Sequence, residues 1–559
     1  MRTRKWKLYL VLSLVILLIG GSLAVRYFKK HPMHVWLITD PIGSYRSVSW
    51  EDGPATAEKP ADKRPPNIVV ILADDLGYND LSHGGGGVGN GTLKTPHIDS
   101  LAENGVSFTN AYSGCATCAP SRASLLTGRI ATRFGFEFTP APKEFWKLIA
   151  GFRKDGDRPL GYPKAKYFKE REKDVSSFEM MGIPQDEVIL AKLLKNHGYH
   201  TTIVGKWHLG AKPGMRPTDK GFDEFVGFHH NASLYLPIDD PSVVNSRQEF
   251  DPNDVFSWNN LQYSVRQDGQ KRFKPDKYLT DYFTDQAVDI INKNKNRPFF
   301  LYLAYNAPHT PLQAKKADYE ALADISDHTE RVYGAMIRAV DRGVGRVLDT
   351  LKANGLENNT LVFFTSDNGG AHYLGLPYIN RPFRGWKVTF FEGGIHVPFF
   401  VKWPAGLPSG KTYTKRVSQV DIFATAAAAA GVPLPKDRVI DGVDLAPFVA
   451  EDRADRPHER MLWRSGHYRV VIVGDWKLQV TERPQKMWLF NLAKDPTERA
   501  NLAESEPAKL KELLTVLNEM NAQMKKPMWP NLVEMPVMID HTLKERDPGP
   551  EAEYIYWAN

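Results

Sequence analysis

Two acidic pairs are the first residues in this sequence that could do chemistry. Asp74–Asp75 directly follows the apolar run Asn67–Ala73, and Asp367–Asn368 directly follows TLVFFTS. Adjacent carboxylates repel unless water or a cation neutralises them. Their hard oxygens suit Ca²⁺ or Mg²⁺, and no histidine cluster has zinc-site spacing. Either pair alone reads as a polar loop start; two pairs, each after a buried strand, raise the metal reading. Lys206 and His208 lie in GKWHLG, His309 in APHTP, and Lys387 in RGWKVTFFEGG. A lone histidine or lysine is more often a surface or satisfied residue. Lys206 and His208, two apart, face one side of an extended segment. Two lysines and two histidines beside a cation would suit an anionic tetrahedral ester. Lysines and metal would neutralise an oxyanion, and a histidine would protonate the leaving oxygen.

The chain has two cysteines, Cys115 and Cys118, in CATCAPSRASLLTGR. The C-x-x-C spacing admits a redox pair, half of a zinc site or a plain disulfide. The redox reading lacks its usual small fold, and the zinc reading lacks a second C-x-x-C or a histidine pair.

The elements that must position these residues alternate. Asn67–Ala73, Phe299–Tyr305 and TLVFFTS read as strands buried on both faces. A helix is expected after Thr95 as N-cap and Pro96, ending at Gly105. Another spans about residues 186–197, with Gly198 past its end and a short strand, His200–Val204, after it. A long helix is expected over about 330–351. The pattern predicts an α/β fold: a mixed, mostly parallel central sheet sandwiched by helices, with chemistry at the carboxyl ends of its strands. Beyond about residue 450 the segments LWRS, YRVVIVGDWKLQV and KMWLFNL read as short antiparallel strands, and a helix follows over about 507–524. The expected division is a signal-anchor over 1–32, a linker over 33–65, a catalytic domain over 66–450, a small α+β subdomain over 451–525 and a Pro-rich tail over 526–559.

The formal charge of +7 has a local origin. Positions 1–30 hold seven basic residues and no acid, which accounts for the whole excess of 72 Lys and Arg over 65 Asp and Glu. A nucleic-acid partner therefore loses its electrostatic support. Those charges flank the apolar run Leu8–Val25, long enough for a membrane span. The expectation is an uncleaved anchor with the catalytic part exported, in the periplasm or at the cell surface for a bacterium. The rival is a signal cleaved after Gly21, Ser22 or Ala24, giving a secreted protein.

Cys118-Ala-Pro-Ser-Arg122 followed by Thr127-Gly-Arg129, in order with DD, GKWHLG, PH, SDNGG and RGxK…EGG, resembles the signature of the formylglycine-dependent type I sulfatases, of the alkaline-phosphatase-like superfamily. The likeness covers about residues 67–450, and LFNLAKDPTERANLA is similar to the family's C-terminal subdomain motif. The resemblance implies that a separate maturation enzyme oxidises Cys118 to formylglycine, whose hydrate is the nucleophile. Asp74, Asp75, Asp367 and Asn368 would hold a divalent cation, Ca²⁺ or else Mg²⁺, with residue 118 adding an oxygen. Arg122 and His208 would orient and help ionise the diol. Lys206 and Lys387 would grip sulfate oxygens, and His309 would bind substrate and protonate the departing alcohol. The covalent sulfate intermediate would collapse to sulfate and the aldehyde. The segment Glu392–His396 departs from the family's EGGxR pattern, which removes one arginine on the substrate side. Cys115 is outside the signature and reads as a small packed or surface thiol that could still pair wrongly with an unconverted Cys118.

Residues 133–185 are rich in Lys, Arg and aromatics, and 228–235 are aromatic. Each reads either as solvated surface or as a wall of the substrate cleft, where aromatic faces would stack on sugars and Lys or Arg would pair with neighbouring sulfates or carboxylates. The cleft is the expectation, which favours a sulfated carbohydrate as substrate. The alternatives are a phosphonate monoester or phosphodiester hydrolase of the same superfamily, and an inactive carbohydrate-binding relative.

Overall fold

A computed structural model of the chain describes residues 13, 21, 22, 40–151, 163–545 and 547–559. The expected signal-anchor, apart from those three isolated positions, lies outside the described residues. Among the described residues no helix is long and apolar enough to cross a membrane.

Nine strands form the central sheet: β1 (Asn67–Ala73), β2 (Val106–Phe108), β3 (His200–Lys206), β4 (Glu224–Phe228), β5 (Arg266–Gln267), β6 (Phe299–Ala304), β7 (Thr360–Ser366), β8 (Phe399–Lys402) and β9 (Lys411–Tyr413). Their order is β9-β2-β8-β7-β1-β6-β3-β4-β5. The middle five, β7-β1-β6-β3-β4, run parallel. β8 and β5 pair antiparallel to them at the flanks. Every residue of β1, β3, β6 and β7 is buried, as expected of strands covered on both faces.

The pleat of β1 sorts the two layers. Val69, Ile71 and Ala73 pack with α1 (Pro96–Glu103), α6 (Leu279–Asn294) and α7 (His328–Ala353). Ile68, Val70 and Leu72 pack with α2 (Cys118–Thr127), α4 (Leu190–Lys195) and α8 (Asp421–Ala429). Two further helices, α3 (Lys143–Gly151) and α5 (Pro252–Asn260), lie at the mouth of the cleft described below. Thr95 stands at the N-cap position of α1, but its hydroxyl bonds Asp99 at 2.8 Å. Asp341 of α7 caps instead, accepting from the N–H groups of His97 and Ile98 at 3.0 and 2.8 Å. α4 is shorter than expected because Ile189 is still extended.

The chain after residue 450 forms the expected antiparallel sheet from β10 (Arg460–Ser465), β11 (Tyr468–Val473), β12 (Trp476–Glu482) and β13 (Gln485–Asn491). α9 (Pro507–Ala522) lays Leu513 and Leu517 against its Leu462, Val471 and Leu489. Two segments differ from expectation. The described part of the expected linker is packed down: Trp50 is buried and donates to Gln286 at 2.9 Å, and Asp40 meets Arg272 at 3.0 Å. The Pro-rich end is also ordered, with antiparallel strands Val533–Met538 and Tyr554–Ala558 and Lys166–Tyr167 pairing at their edge. Pro536 masked the pattern; it sits on a stretch that the two-residue Lys166–Tyr167 strand does not reach.

Candidate active site

Parallel register builds the site. Ala73 of β1 lies opposite Ser366 of β7, so Asp74–Asp75 and Asp367–Asn368 leave the sheet side by side. β3 ends on Lys206 at the same edge, and the turn after β6 carries His309. α2 supplies the remaining face. Thr117 is extended, Cys118 is the first helical residue, and Pro120 falls in the first turn, where its missing N–H costs nothing. Arg122 lies one turn on from Cys118, on the same face. Gly128 closes the helix at φ 66°, and a Cβ there would meet Phe423 at 2.7 Å. The P-S-R and T-G-R parts of the motif therefore start and stop one helix whose positive end faces the acids.

The side chains interlock. The Cys118 thiol lies 3.3 Å from Asp74 and 3.6 Å from Asp75. Arg122, fully buried, donates through Nε to Asp367 at 2.8 Å. Lys206 Nζ reaches Asp74 at 2.5 Å, and Lys387 Nζ reaches Asp75 at 2.8 Å. Asn368 Nδ2 donates to Asp75 at 2.8 Å. His309 Nδ1 meets the Thr310 carbonyl at 2.6 Å, leaving Nε2 3.6 Å from Asp75. Both ring nitrogens of His208 are buried without a hydrogen-bond partner among the described residues. Asp75, His208 and Val388 hold positive φ values of 64°, 62° and 72°. Such backbone strain in residues other than glycine concentrates at functional sites.

Electrostatics follow from burial and partners. Burial pushes the Cys118 thiol well above its ordinary value, Asp367 adding to the effect. The unmodified side chain is therefore a protonated thiol at neutral pH and a poor nucleophile. Burial raises the Asp75 carboxyl, but Lys387, His309 and Lys206 together hold it below its ordinary value. Burial and Asp74 lift Asp367 to about 6 against the pull of Arg122 and Lys206. Burial, Lys206 and Arg122 keep His208 neutral. Burial lowers His309 to about 3, opposed by Asp75 and assisted by Lys387 and Lys206.

These residues fit a hard divalent cation. Ligand-type atoms of Asp74, Asp75, Cys118 and His309 lie within 4.8 Å of one another. Asn368 Oδ1 is buried with no donor. Three carboxylates face three fixed cations, Arg122, Lys206 and Lys387, so a divalent cation and a sulfate dianion together leave the cluster electrically balanced.

A family model described as Sulfatase matches residues 66–432. The chain belongs to the sulfatase family. A second family model, N-sulphoglucosamine sulphohydrolase, C-terminal, matches residues 385–527. Mouse N-acetylgalactosamine-6-sulfatase is 34% identical over 430 residues, 74% of this chain and 72% of that protein. Uncharacterized sulfatase YdeN of Escherichia coli (strain K12) is 31% identical over 449 residues, 72% and 69% of the two chains. Among solved structures, Ps i-CgsB in complex with k-i-k-neocarrahexaose superposes with a TM-score of 0.67 at 31% identity, covering 83% of this chain and 95% of that chain. This sulfatase is a sulfuric ester hydrolase with the alkaline-phosphatase-like fold.

The structure brings together every residue singled out in the sequence for the sulfatase site. It adds Tyr373, which donates to Asp75 at 2.9 Å and accepts from Lys387 at 3.2 Å; no local pattern marks it. It also adds a clamp on the Lys387 loop. Buried Lys477 of β12 pairs with Glu392 at 2.7 Å and Glu498 at 2.9 Å, and Glu498 accepts the Glu392 N–H at 2.6 Å. His396, standing where the family pattern has arginine, is turned into this clamp, bonding Glu392 at 3.0 Å and the Thr109 carbonyl at 2.7 Å. Cys115 is buried and unpaired with Cys118, and burial pushes its thiol to about 11. Of the segment 228–235, His230 and Asn231 line the cleft, while Phe228 and Tyr235 belong to the core. Tyr235 supports His309, donating to its carbonyl at 2.8 Å.

Proposed function

We propose that this sulfatase removes a sulfate ester from a carbohydrate, with formylglycine derived from Cys118 as nucleophile and Ca²⁺ as resident cation. The observation that carries the reading is the placement of Cys118 at the start of α2, between Asp74 and Asp75 on one side and the cleft on the other. As the hydrated aldehyde, residue 118 supplies one hydroxyl to attack sulfur and a second to expel sulfate. Ca²⁺, held by Asp74, Asp75, Asp367 and Asn368, would polarise the oxygens bound to it.

The chain's own groups do the rest. Neutral His208, with both nitrogens unpartnered, accepts a proton from the diol, and Arg122 holds Asp367 and Asp74 in place beside it. Lys206 and Lys387 present ammonium groups to the sulfate oxygens and offset the charge that builds on them. His309, its Nδ1–H held by the Thr310 carbonyl, turns Nε2 towards the departing alcohol oxygen. Burial, Lys387 and Lys206 hold the ring neutral; bound sulfate offsets the two lysines, so that the ring can take up the Nε2 proton it delivers. Carbohydrate is supported by the aromatic walls of the cleft and by the names of the relatives. The apolar run Leu8–Val25 supports anchoring with the catalytic domain outside the cytoplasm, checked by protease accessibility of intact cells.

The test is turnover across a panel of positional sulfate isomers of mono- and oligosaccharides, on protein whose residue 118 has been read by peptide mass spectrometry. Release of sulfate only from preparations carrying formylglycine is the expected result. Full activity with an unmodified Cys118 would overturn the mechanism.

A further inference from the structure

The cleft that opens on Cys118 has a volume of about 220 Å³, and its lining runs from Phe145 of α3 and Phe256 of α5 to His309, Tyr373 and Lys387. Tyr373 takes no part in the bond changes at sulfur. Its hydroxyl nonetheless joins two groups on which those changes depend, donating to Asp75 Oδ2 at 2.9 Å and accepting from Lys387 Nζ at 3.2 Å. Burial and the Asp75 charge hold the phenol well above its ordinary value, so it stays a donor at neutral pH.

The contacts divide the Asp75 carboxylate. Oδ1 faces the nucleophile, with Asn368 Nδ2 at 2.8 Å and the Cys118 thiol at 3.6 Å. Oδ2 takes the Tyr373 hydroxyl and, at 2.8 Å, the Lys387 ammonium, which lies 2.8 Å from Oδ1 as well. His309 Nε2, 3.6 Å from Asp75, is too distant to be a hydrogen-bond donor to it. A sulfate oxygen in the cleft competes with Asp75 for the ammonium. As Lys387 turns to it, Oδ2 loses its charged donor although Asp75 is only 2% exposed. A buried carboxylate oxygen left unpaired is costly, and the Tyr373 hydroxyl is the donor that remains.

Backbone bonds set the hydroxyl and the ammonium against each other. Tyr373 lies in the single turn His372–Leu374, which Gly375 ends at φ 73°. Just upstream, the Gly370 carbonyl accepts the Lys387 N–H at 3.0 Å. Asn380 stitches the same two segments, accepting the Gly370 N–H at 2.8 Å and donating to the Gly370 and Gly385 carbonyls at 2.9 and 3.2 Å.

We propose that Tyr373 is a positioning residue for Lys387, keeping Asp75 paired while the ammonium turns from the carboxylate to the sulfate. This rests on the reading of the Cys118 site as a sulfatase centre.

The experiment uses the full chain, loaded with Ca²⁺ and carrying formylglycine. kcat/KM is measured with 4-nitrophenyl sulfate and with a sugar sulfate for the wild type, Tyr373→Phe, Lys387→Ala and the double variant. Binding of inorganic sulfate is followed by its effect on Tm at saturating Ca²⁺, and binding of Ca²⁺ by the same method without sulfate. Tyr373→Phe keeps the ring and should lower kcat/KM by about 10–100-fold, alike on both substrates because the leaving group is not involved. Sulfate binding should weaken by about tenfold. The Ca²⁺ response should stay within about threefold, because Lys387 still pairs Asp75. On the Lys387→Ala background the same substitution should cost less than about threefold, since no ammonium is left to position. A Tyr373 that merely supports the fold would lower turnover and the Ca²⁺ response together and add its full loss to that of Lys387→Ala. Either of those results, or unchanged sulfate binding by Tyr373→Phe, overturns this inference alone when the wild type is active. Failure of the wild type to hydrolyse either ester overturns the sulfatase reading of the site and this inference with it.

Discussion

His309 is the residue on which the geometry makes its sharpest demand. Its Nδ1 is tied to the Thr310 carbonyl at 2.6 Å, and its own carbonyl accepts from Tyr235 at 2.8 Å, so the ring cannot turn freely. Nε2 is left facing the cleft, 3.6 Å from Asp75. His309 also belongs to the cluster of metal-type ligands with Asp74, Asp75 and Cys118, and Nε2 is the nitrogen that the Thr310 carbonyl leaves open. Two roles, proton donor and cation ligand, thus compete for one nitrogen. His309→Ala separates them by leaving group. A general acid contributes about 10²–10⁴ in rate when the departing oxygen needs a proton, about 3–5 kcal/mol of transition-state stabilisation. That loss is expected with a sugar or alkyl sulfate, whose alkoxide leaves poorly. With 4-nitrophenyl sulfate the phenolate departs unprotonated, and the loss should be less than about tenfold. The assay is kcat/KM for the two substrates, run beside a calcium titration followed by thermal melting. Equal losses on both substrates together with a weakened calcium response would refute the proton-donor assignment and make His309 a ligand.

Cys118→Ala should lower turnover by about 10³-fold or more, the scale seen when a nucleophile is removed, with no aldehyde-bearing peptide in the mass spectrum. Chelation of Ca²⁺ should abolish turnover and lower the Tm, since a cation at 100 times its Kd contributes about 2.7 kcal/mol; an unchanged Tm after verified cation removal would count against the site. Lys477→Met leaves Glu392 and Glu498 buried without their partner, at a cost of about 3–5 kcal/mol, read by urea unfolding near pH 8. Burial lifts Glu498 from 4.5 to about 7, with Lys477 opposing and Glu392 adding. A raised carboxyl stabilises the fold while protonated, so its contribution is whole below about 4.5 and is lost as pH rises through 7. Glu498→Gln stays neutral and should flatten the stability–pH curve over that window; identical slopes in the two proteins would rule the assignment out.

The clamp around Lys477 ties the four-stranded C-terminal sheet to the loop that carries Lys387. Lys387 sits in a segment whose Val388 N–H reaches Ala116 at 2.8 Å, beside the cysteine stretch, while Arg384 and Glu392 are held by residues of the C-terminal part. The C-terminal sheet therefore fixes where the Lys387 ammonium stands against Asp75.

What the sequence determined by itself was local and chemical. Uninterrupted β-branched runs ending in Asp74–Asp75 and Asp367–Asn368 marked buried strands with polar ends. C-x-P-S-R and T-G-R encoded the start and stop of one helix, because proline is tolerated only in a first turn and Gly128 is needed at positive φ. Tertiary structure decided which of these ends meet. The register of Ala73 with Ser366 brings together acids 292 residues apart, and no periodicity in one segment specifies a partner strand. Tyr373 and Lys477 were likewise beyond reach of the sequence. Each is an ordinary residue in its own segment and gains its role only from long-range packing, where burial turns a single hydroxyl or ammonium into part of the site.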